Sequence, residues 1–491
     1  MAQRLKRANA ASCGVNPEAL QSLYEALSAK NVHSLMITRH NQVIAEGWWD
    51  PYRPEYNHIQ YSVSKSFVGT AIGIAVTQGL LSVDDKIVTL IGDVLPSAPC
   101  ENMLKLTVRD VLTMSTGHRD ERNMFQPGES WCYSLLTSYI DDTPGIKFRY
   151  ISSSTYLLCA VIRKITGKNV FNYLEENLFE PMGFSSDIWW ETSPEGLNTG
   201  FNGFNATAED ITKLGLLYLN HGVWNGIRIL SEEWVKAAMA VQIDNSDNQN
   251  NQALGYRQGF GTFTKDWCSG YGYLFWHCQL ANAVRADGIF GQMCIIMPDQ
   301  DMTVSIAAGC QEPGEILDIL WEKLLPAIDS GTADPTKMPL LQKTLSVLRI
   351  PPVSGEKYNQ VSELYSGKTF LLADTECGIQ KLRFFFETPT PIIEITTMKG
   401  TLRLPIGYQE WVTSETSYDK AGFSCDNVIF FADVAACGAW QADEFVVKLV
   451  YTRTPFIDTL RVQFSDGILC GKYSHEVKYG KQSYNLLGRL L

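Results

Sequence analysis

The chain has 491 residues, 45% hydrophobic and 19% charged, with a formal net charge of −12. That composition supplies a large core, excludes global disorder, and at roughly 100–200 residues per domain suggests two to four folding units. The acidic residues are spread along the chain, which argues against nucleic acid or an anionic membrane surface as partner.

Residues 1–11 carry Arg4, Lys6 and Arg7 with no apolar segment behind them, so no secretory leader is expected. The longest apolar run, residues 67–76, is too short to span a bilayer. Twelve cysteines without a CxxC pair fit free thiols in a reducing compartment. A cytoplasmic location is expected, with an exported form left open.

Asn16-Pro17 reads as the cap and first residue of a helix whose apolar face is Leu20, Leu23, Tyr24 and Leu27. Residues 33–49 alternate around His40-Asn41 as a hairpin. Residues 62–78 are apolar nearly all round, and Gly79 follows as a stop, which predicts a helix buried within a domain. From about 105 to 240 the chain reads as mainly helical, with a capping box at Thr207–Asp210. Residues 292–297 and 302–308 flank a Pro298–Asp301 turn, and a helix with Ile316, Leu317, Leu320 and Leu324 follows. Strands at both ends with helices between them predict one sheet closed by distant segments, beside a helical lobe.

Residues 327–356 are rich in Pro, Ser, Gly, Thr and Lys and read as a linker. Short β-type runs come after it, at 369–373, 382–387, 392–397, 428–431, 445–451, 459–464 and 468–473. They predict an antiparallel barrel or sandwich. The expected division is 1–330, a linker at 331–356, and a C-terminal β domain at 357–491.

A serine hydroxyl attacks a carbonyl only if a base takes its proton. Ser62-Val63-Ser64-Lys65 places a serine and a lysine on one helix face. Burial in the apolar helix would lower the lysine pKa, and the helix N-terminus would favour an oxyanion. Ser-x-x-Lys also occurs at Ser354 in the linker and at Ser417 between strands, where no buried helix starts. Taken alone, the tetrad equally fits a capping serine with a lysine reaching solvent.

Other stretches set the tetrad in context. They are Tyr61-Ser-Val-Ser-Lys-Ser-Phe67, the Gly79–Lys86 turn, Leu106-Thr-Val-Arg-Asp-Val-Leu-Thr-Met-Ser-Thr-Gly-His118 and Pro144-Gly-Ile-Lys-Phe-Arg-Tyr150. In this order they resemble segments of the serine β-lactamase and penicillin-binding-protein-like hydrolases. That group includes class C β-lactamases, D-alanyl-D-alanine carboxypeptidases, family VIII esterases and 6-aminohexanoate-oligomer hydrolases. The likeness covers about residues 15–330. It implies an α/β (α+β) fold, with an antiparallel sheet flanked by helices and an all-helical lobe. It implies Ser62 as nucleophile, Lys65 as its proton acceptor and Tyr150 as proton donor to the leaving group. It also implies an oxyanion hole from the backbone N–H groups of Ser62 and Ile289.

Two positions depart from that pattern. Ser152 stands where many relatives have an asparagine that contacts the substrate amide. Ala286-Asp287-Gly288 stands where many have Lys/His-Thr-Gly, so the cation that holds a substrate carboxylate is missing. Gly288 still lets a strand approach the substrate closely. Asp287 reads either as a turn residue or as a partner for a substrate ammonium. Gly291-Gln292 resembles the ending found in the esterase and amide-oligomer branch.

The expected activity is hydrolysis of small esters, amides or peptides through an acyl-serine. A β-lactamase or D-amino-acid peptidase, and a non-catalytic binding or sensor protein keeping the fold, are the alternatives. No histidine pair has metal spacing and no phosphate loop or Gly-x-Ser-x-Gly elbow occurs, so neither metal nor cofactor is expected. The sequence says nothing about oligomeric state. Among the many aromatics, Trp48, Trp49, Trp131, Trp189, Trp190, Tyr271, Tyr273, Phe275 and Trp276 are candidates for cleft walls or core.

Overall fold

The computed structural model describes residues 3–92, 99–121, 130–249, 265–331, 333–373, 376–398, 400–415, 433–477 and 481–491. The expected strand at 428–431 and the tetrad at Ser417 lie outside them.

The first helix is Pro17–Leu27, and the Asn16 side chain caps it by accepting from Glu18 N at 2.9 Å. The hairpin follows as Val32–Arg39 and Gln42–Trp48. His40 and Asn41 both have positive φ, at 51° and 59°, as a two-residue hairpin turn requires. The antiparallel sheet runs Gln42–Trp48, Val32–Arg39, Met302–Ala308, Gln292–Met297, Val284–Gly288, Trp276–His277. Distant segments therefore close it, as the sequence predicts.

Neighbouring residues of a strand face opposite sides of the sheet. Leu35 and its partner Gly47 face the first helix, whose Tyr24 hydroxyl donates to the Leu35 carbonyl at 3.1 Å. A Cβ on Gly47 would fall 2.5 Å from Leu348 and 2.8 Å from Tyr24, so only glycine lets these layers meet. Met36 and its partner Ser305 face the other way, where the Thr212 hydroxyl of the helix Ala208–Leu219 lies 3.3 Å from Met36 Sδ and 2.9 Å from Ser305 Oγ. That helix opens on the Thr207–Asp210 capping box, formed as expected. The helix Val63–Thr77 also lies on this side, with all but its last two residues buried, and Gly79 stops it at φ +73°. The lobe between residues 105 and 240 carries the helices Val108–Leu112, Trp131–Thr137, Thr155–Thr166 and Glu232–Met239.

Within the 331–356 stretch, residues Met338–Ser346 form a helix. It sends Leu341 into the first core, and Leu348 and Ile350 follow. Its apolar face fastens this segment to the first helix and the hairpin.

A second sheet has ten antiparallel strands. Thr369–Leu372, Ile379–Phe385, Ile392–Thr397, Glu444–Tyr451, Ile457–Ser465 and Ile468–His475 match the expected runs to within a few residues. Gly400–Pro405, Val412–Ser414, Val434–Gln441 and Ser483–Leu490 are additional. The first strand pairs with the last, and a parallel bridge from Gly407 to Cys437 brings the sheet's two edges together. The result is barrel-like, filled by Phe370, Leu382, Phe384, Ile393, Phe445, Val447, Leu460 and Val462.

Candidate active site

The short strand His58–Ile59 pairs with Phe204–Ala206 and delivers the chain to Ser62. Tyr61 turns it at φ +45°. Ser64, Lys65 and Val63 then donate their N–H groups three residues back, so the helix begins with a tight turn. Ser62 occupies the cap position, yet its side chain makes no capping bond. Its Oγ lies 2.7 Å from Lys65 Nζ instead.

Lys65 is 1% exposed, so it does not reach solvent. Its Nζ also donates to the Phe201 carbonyl at 2.8 Å and sits 5.0 Å from the centre of the Tyr150 ring. Burial disfavours the ammonium and brings the Lys65 pKa down to about 7, against the opposing pull of Glu121 and Asp287. The bland reading of a capping serine with a solvated lysine therefore fails on both residues.

Tyr150 arrives through the two motifs the sequence singles out. Gly145 N donates to Ser115 O at 2.8 Å and Arg149 N to Met114 O at 2.8 Å, which stitches the Pro144–Tyr150 run to the Met-Ser-Thr-Gly segment. Gly117, at φ +87°, lies so close to Asp142 O that a Cβ would fall 2.1 Å from it. The Tyr150 side chain lies close to Ser62 and to Trp276. Burial, with the negative charges of Asp287 and Glu121, raises its pKa, so the phenol keeps its proton at neutral pH. Trp276 packs 5.2 Å from the Tyr150 ring and Tyr271 meets it edge to face at 6.3 Å. These two aromatics stand beside Tyr150, whereas Trp49 is a core residue stacked on Tyr24.

The strand Val284–Gly288 passes along Ser62. A Cβ on Gly288 would fall 2.5 Å from Gln60 O and 3.3 Å from Ser62 N, so only glycine permits this approach. Among the described residues, the backbone N–H groups of Ser62 and Ile289 donate to no protein acceptor.

Asp287 lies in this strand and is not a turn residue. Arg285, two positions earlier and therefore on the same face, donates its Nε to Asp287 at 2.6 Å. Burial raises the Asp287 pKa, and Arg285 opposes the rise. Ser152 is half-buried at the start of a turn, Ser152–Ser154, that leads into the helix Thr155–Thr166. Its N–H donates to the Glu121 carboxylate, as does that of Ser153 at 3.3 Å.

Sequence reasoning named Ser62, Lys65, Tyr150, Ser152, Asp287, Gly288 and Ile289, and the fold brings them to one place, with Ser152 joined to the rest through Glu121. It missed Glu121 and Arg285. The Arg285–Asp287 spacing on an alternating strand was a usable signal, while Glu121 reaches the site only through tertiary closure.

A Ser–Lys–Tyr cluster between an antiparallel sheet and a helical lobe, with its lysine buried and its serine and tyrosine half-buried, defines a serine hydrolase of the amide or ester type. The model of the beta-lactamase family matches residues 20–325, and the chain belongs to that family. Its sequence is 24% identical over 315 residues to a 6-aminohexanoate-dimer hydrolase from Paenarthrobacter ureafaciens, covering 60% of this chain and 76% of that one. Among solved structures, a Bacillus anthracis protein provisionally assigned as a 6-aminohexanoate-dimer hydrolase superposes with a TM-score of 0.52 at 19% identity, over 66% of this chain and 86% of that one. A family VIII carboxylesterase superposes with a TM-score of 0.50 at 13% identity, over 62% and 97%. These two likenesses concern the fold. Among the described residues, no helix is long and apolar enough to cross a membrane.

Proposed function

We propose that the chain hydrolyses small esters or amides, including short linear amide oligomers, through an acyl-enzyme on Ser62. The observation that carries this is Lys65: a buried amine with its pKa near 7, 2.7 Å from a serine hydroxyl that caps nothing. With its proton lost, Nζ still donates to Phe201 O and turns its lone pair to Ser62. Ser62 Oγ then bonds the substrate carbonyl carbon as its proton passes to Lys65. The carbonyl oxygen becomes an oxyanion between the N–H groups of Ser62 and Ile289. Tyr150, held as a phenol, donates its proton to the departing alkoxide or amine and recovers one from the Lys65 ammonium. Water then attacks the acyl-serine by the reverse proton route.

Ser152, Asp287 and Gly288 form the substrate-facing edge in this reading. With an aspartate engaged by Arg285 where relatives carry a cation, the edge is poorly suited to a β-lactam carboxylate. The aromatic wall of Trp276 and Tyr271 suits an aliphatic chain. The hydrolase then occupies residues 1–330, with 357–491 as a second domain joined through 331–356.

Intact mass after incubation with a fluorophosphonate tests the nucleophile. One adduct on wild type, absent from Ser62→Ala, is expected. Hydrolysis of p-nitrophenyl esters and of 6-aminohexanoate dimer without turnover of a chromogenic cephalosporin would fix the substrate class. A folded wild type that takes no adduct and cleaves none of these would leave a binding protein as the better account.

A further inference from the structure

Each donor of the proposed oxyanion hole has a bulky neighbour in left-handed backbone. Tyr61, at φ +45°, precedes Ser62, and Phe290, at φ +66°, follows Ile289. Side chains of this size stay in that region only where their surroundings hold them. Here the two rings meet edge to face with centroids 5.9 Å apart, and both residues are buried.

The C-terminal barrel supplies what holds them. Phe456, just ahead of the strand Ile457–Ser465, lies edge to face on Phe290 at 6.1 Å. Val477, 1% exposed, completes a cluster with Ile59, Tyr61 and Phe290, against which Ile289 and Phe456 pack. The buried members of this cluster belong to neither large core, and Phe456 ties it to the barrel core, against which it also packs. The barrel turn that carries Phe456 is fixed through the backbone. Ile59 N donates to Arg453 O at 2.9 Å, and Pro455 O lies so close to Gly309 that a Cβ there would fall 2.2 Å from it.

We infer that Phe456 and Val477 are positioning residues for the hydrolysis, holding Tyr61 against Phe290 and so setting the spacing of the Ser62 and Ile289 N–H groups. The inference rests on the acyl-Ser62 reading. Oxyanion donors act only when they lie about 2.7–3.1 Å from the place where the charge develops. Loosening the clamp therefore costs transition-state stabilisation and leaves ground-state binding largely intact. The barrel thus takes part in the reaction without touching substrate.

The test compares an aryl ester with its thionoester on full-length wild type, Phe456→Ala, Val477→Ala and the conservative Phe456→Leu. An intact oxyanion hole favours oxygen over the larger, more weakly hydrogen-bonding sulfur. In Phe456→Ala the ester kcat is expected to fall about ten-fold or more while KM stays within about two-fold. The thionoester kcat should fall much less, so the ester-to-thionoester ratio drops, and Phe456→Leu should restore most of it. Parallel losses on both substrates, or an unchanged ratio, would overturn the inference. If Phe456→Ala does not fold, Val477→Ala and Phe456→Leu are read the same way. A wild type without a Ser62 fluorophosphonate adduct overturns the underlying reading and this one together. An adduct on wild type with an unchanged ratio in the variants overturns this one alone.

Discussion

In the six-stranded sheet, Val32–Arg39 pairs with Met302–Ala308, so strands from opposite ends of the catalytic region lie side by side. In the ten-stranded sheet, most strands pair with a neighbour in sequence, and Thr369–Leu372 with Ser483–Leu490 is the long-range exception. Buried charge divides the same way. Lys65, Lys213, Asp266 and Arg285 are buried in the first region, along with His33, His58 and His118. Among the described residues of 357–491, Asp458 is the one buried charged side chain. A sheet closed by remote segments brings polar groups into an interior in which burial can retune their titration. A sheet built from local pairings fills its interior with apolar side chains and can serve as a rigid prop.

The comparison breaks most sharply at Ser62. Ser62→Ala is expected to lower kcat by ~10³-fold or more with the melting temperature nearly unchanged, measured by ester turnover and calorimetry. Tyr150→Phe should lower it by ~10²-fold, since only the proton relay is lost.

Next comes pH. Below the Lys65 pKa of about 7, kcat/KM for a neutral ester should fall about ten-fold per pH unit as the base is protonated. Stability carries a mark of the same group at higher pH. Burial lowers the folded-state pKa of Lys65 below its ordinary value, so the unfolded chain holds the extra proton between about pH 7 and the usual lysine range. Stability should therefore rise with pH across that window, and the penalty is fully present below it. Melts of wild type and Lys65→Met against pH check this: the variant should lose the slope.

In the barrel, Asp458 accepts from Tyr451 at 2.9 Å, from His475 at 2.5 Å, and from Tyr473. Asp458→Ala leaves these groups without their shared acceptor and should cost ~3 kcal/mol in denaturant titration. The smallest effect concerns the histidine pair, whose rings meet through His33 Nδ1 and His58 Nε2 at 3.1 Å. Burial lowers the pKa of both, that of His58 to about 4. The unfolded chain takes up protons that the folded chain does not, so stability should fall as pH drops from the ordinary histidine value towards 4. Acid titrations of His33→Gln should show a shallower fall.

Much of the catalytic region was legible in its sequence because local signals agree there. Asn16-Pro17, the His40-Asn41 turn, Gly79 and the Thr207–Asp210 box each act within a few residues. Ser62, Lys65 and Tyr150 stood out through ordered motifs, and neighbouring backbone bonds carry two of those motifs to one place. The barrel strands rich in Val, Ile and Phe were equally plain. Val434–Gln441 was not: its Ala, Cys and Gly residues have little β preference, and pairing on both sides enforces the strand. The helix Met338–Ser346 was hidden among linker-like residues, since its apolar face is narrow and finds its partner only in three dimensions. Glu121 and the Phe456–Phe290 contact belong to the same class. They depend on closure between remote segments, for which a single sequence has no local marker.

The segments on either side of the six-stranded sheet, residues 14–16 and 327–329, also meet at one point. Val15 forms a bridge with Ile328, Asn16 N donates to Ala327 O at 3.0 Å, and Asp329 N to Gly14 O at 2.9 Å. Arg39 clasps the junction by pairing with Asp329 at 2.5 Å. A body whose entry and exit coincide behaves as a closed module. Sequence can be added after residue 329 without threading through the cleft, and a circular permutant joined across this junction and reopened at the His40-Asn41 turn should keep the same set of neighbours around Ser62.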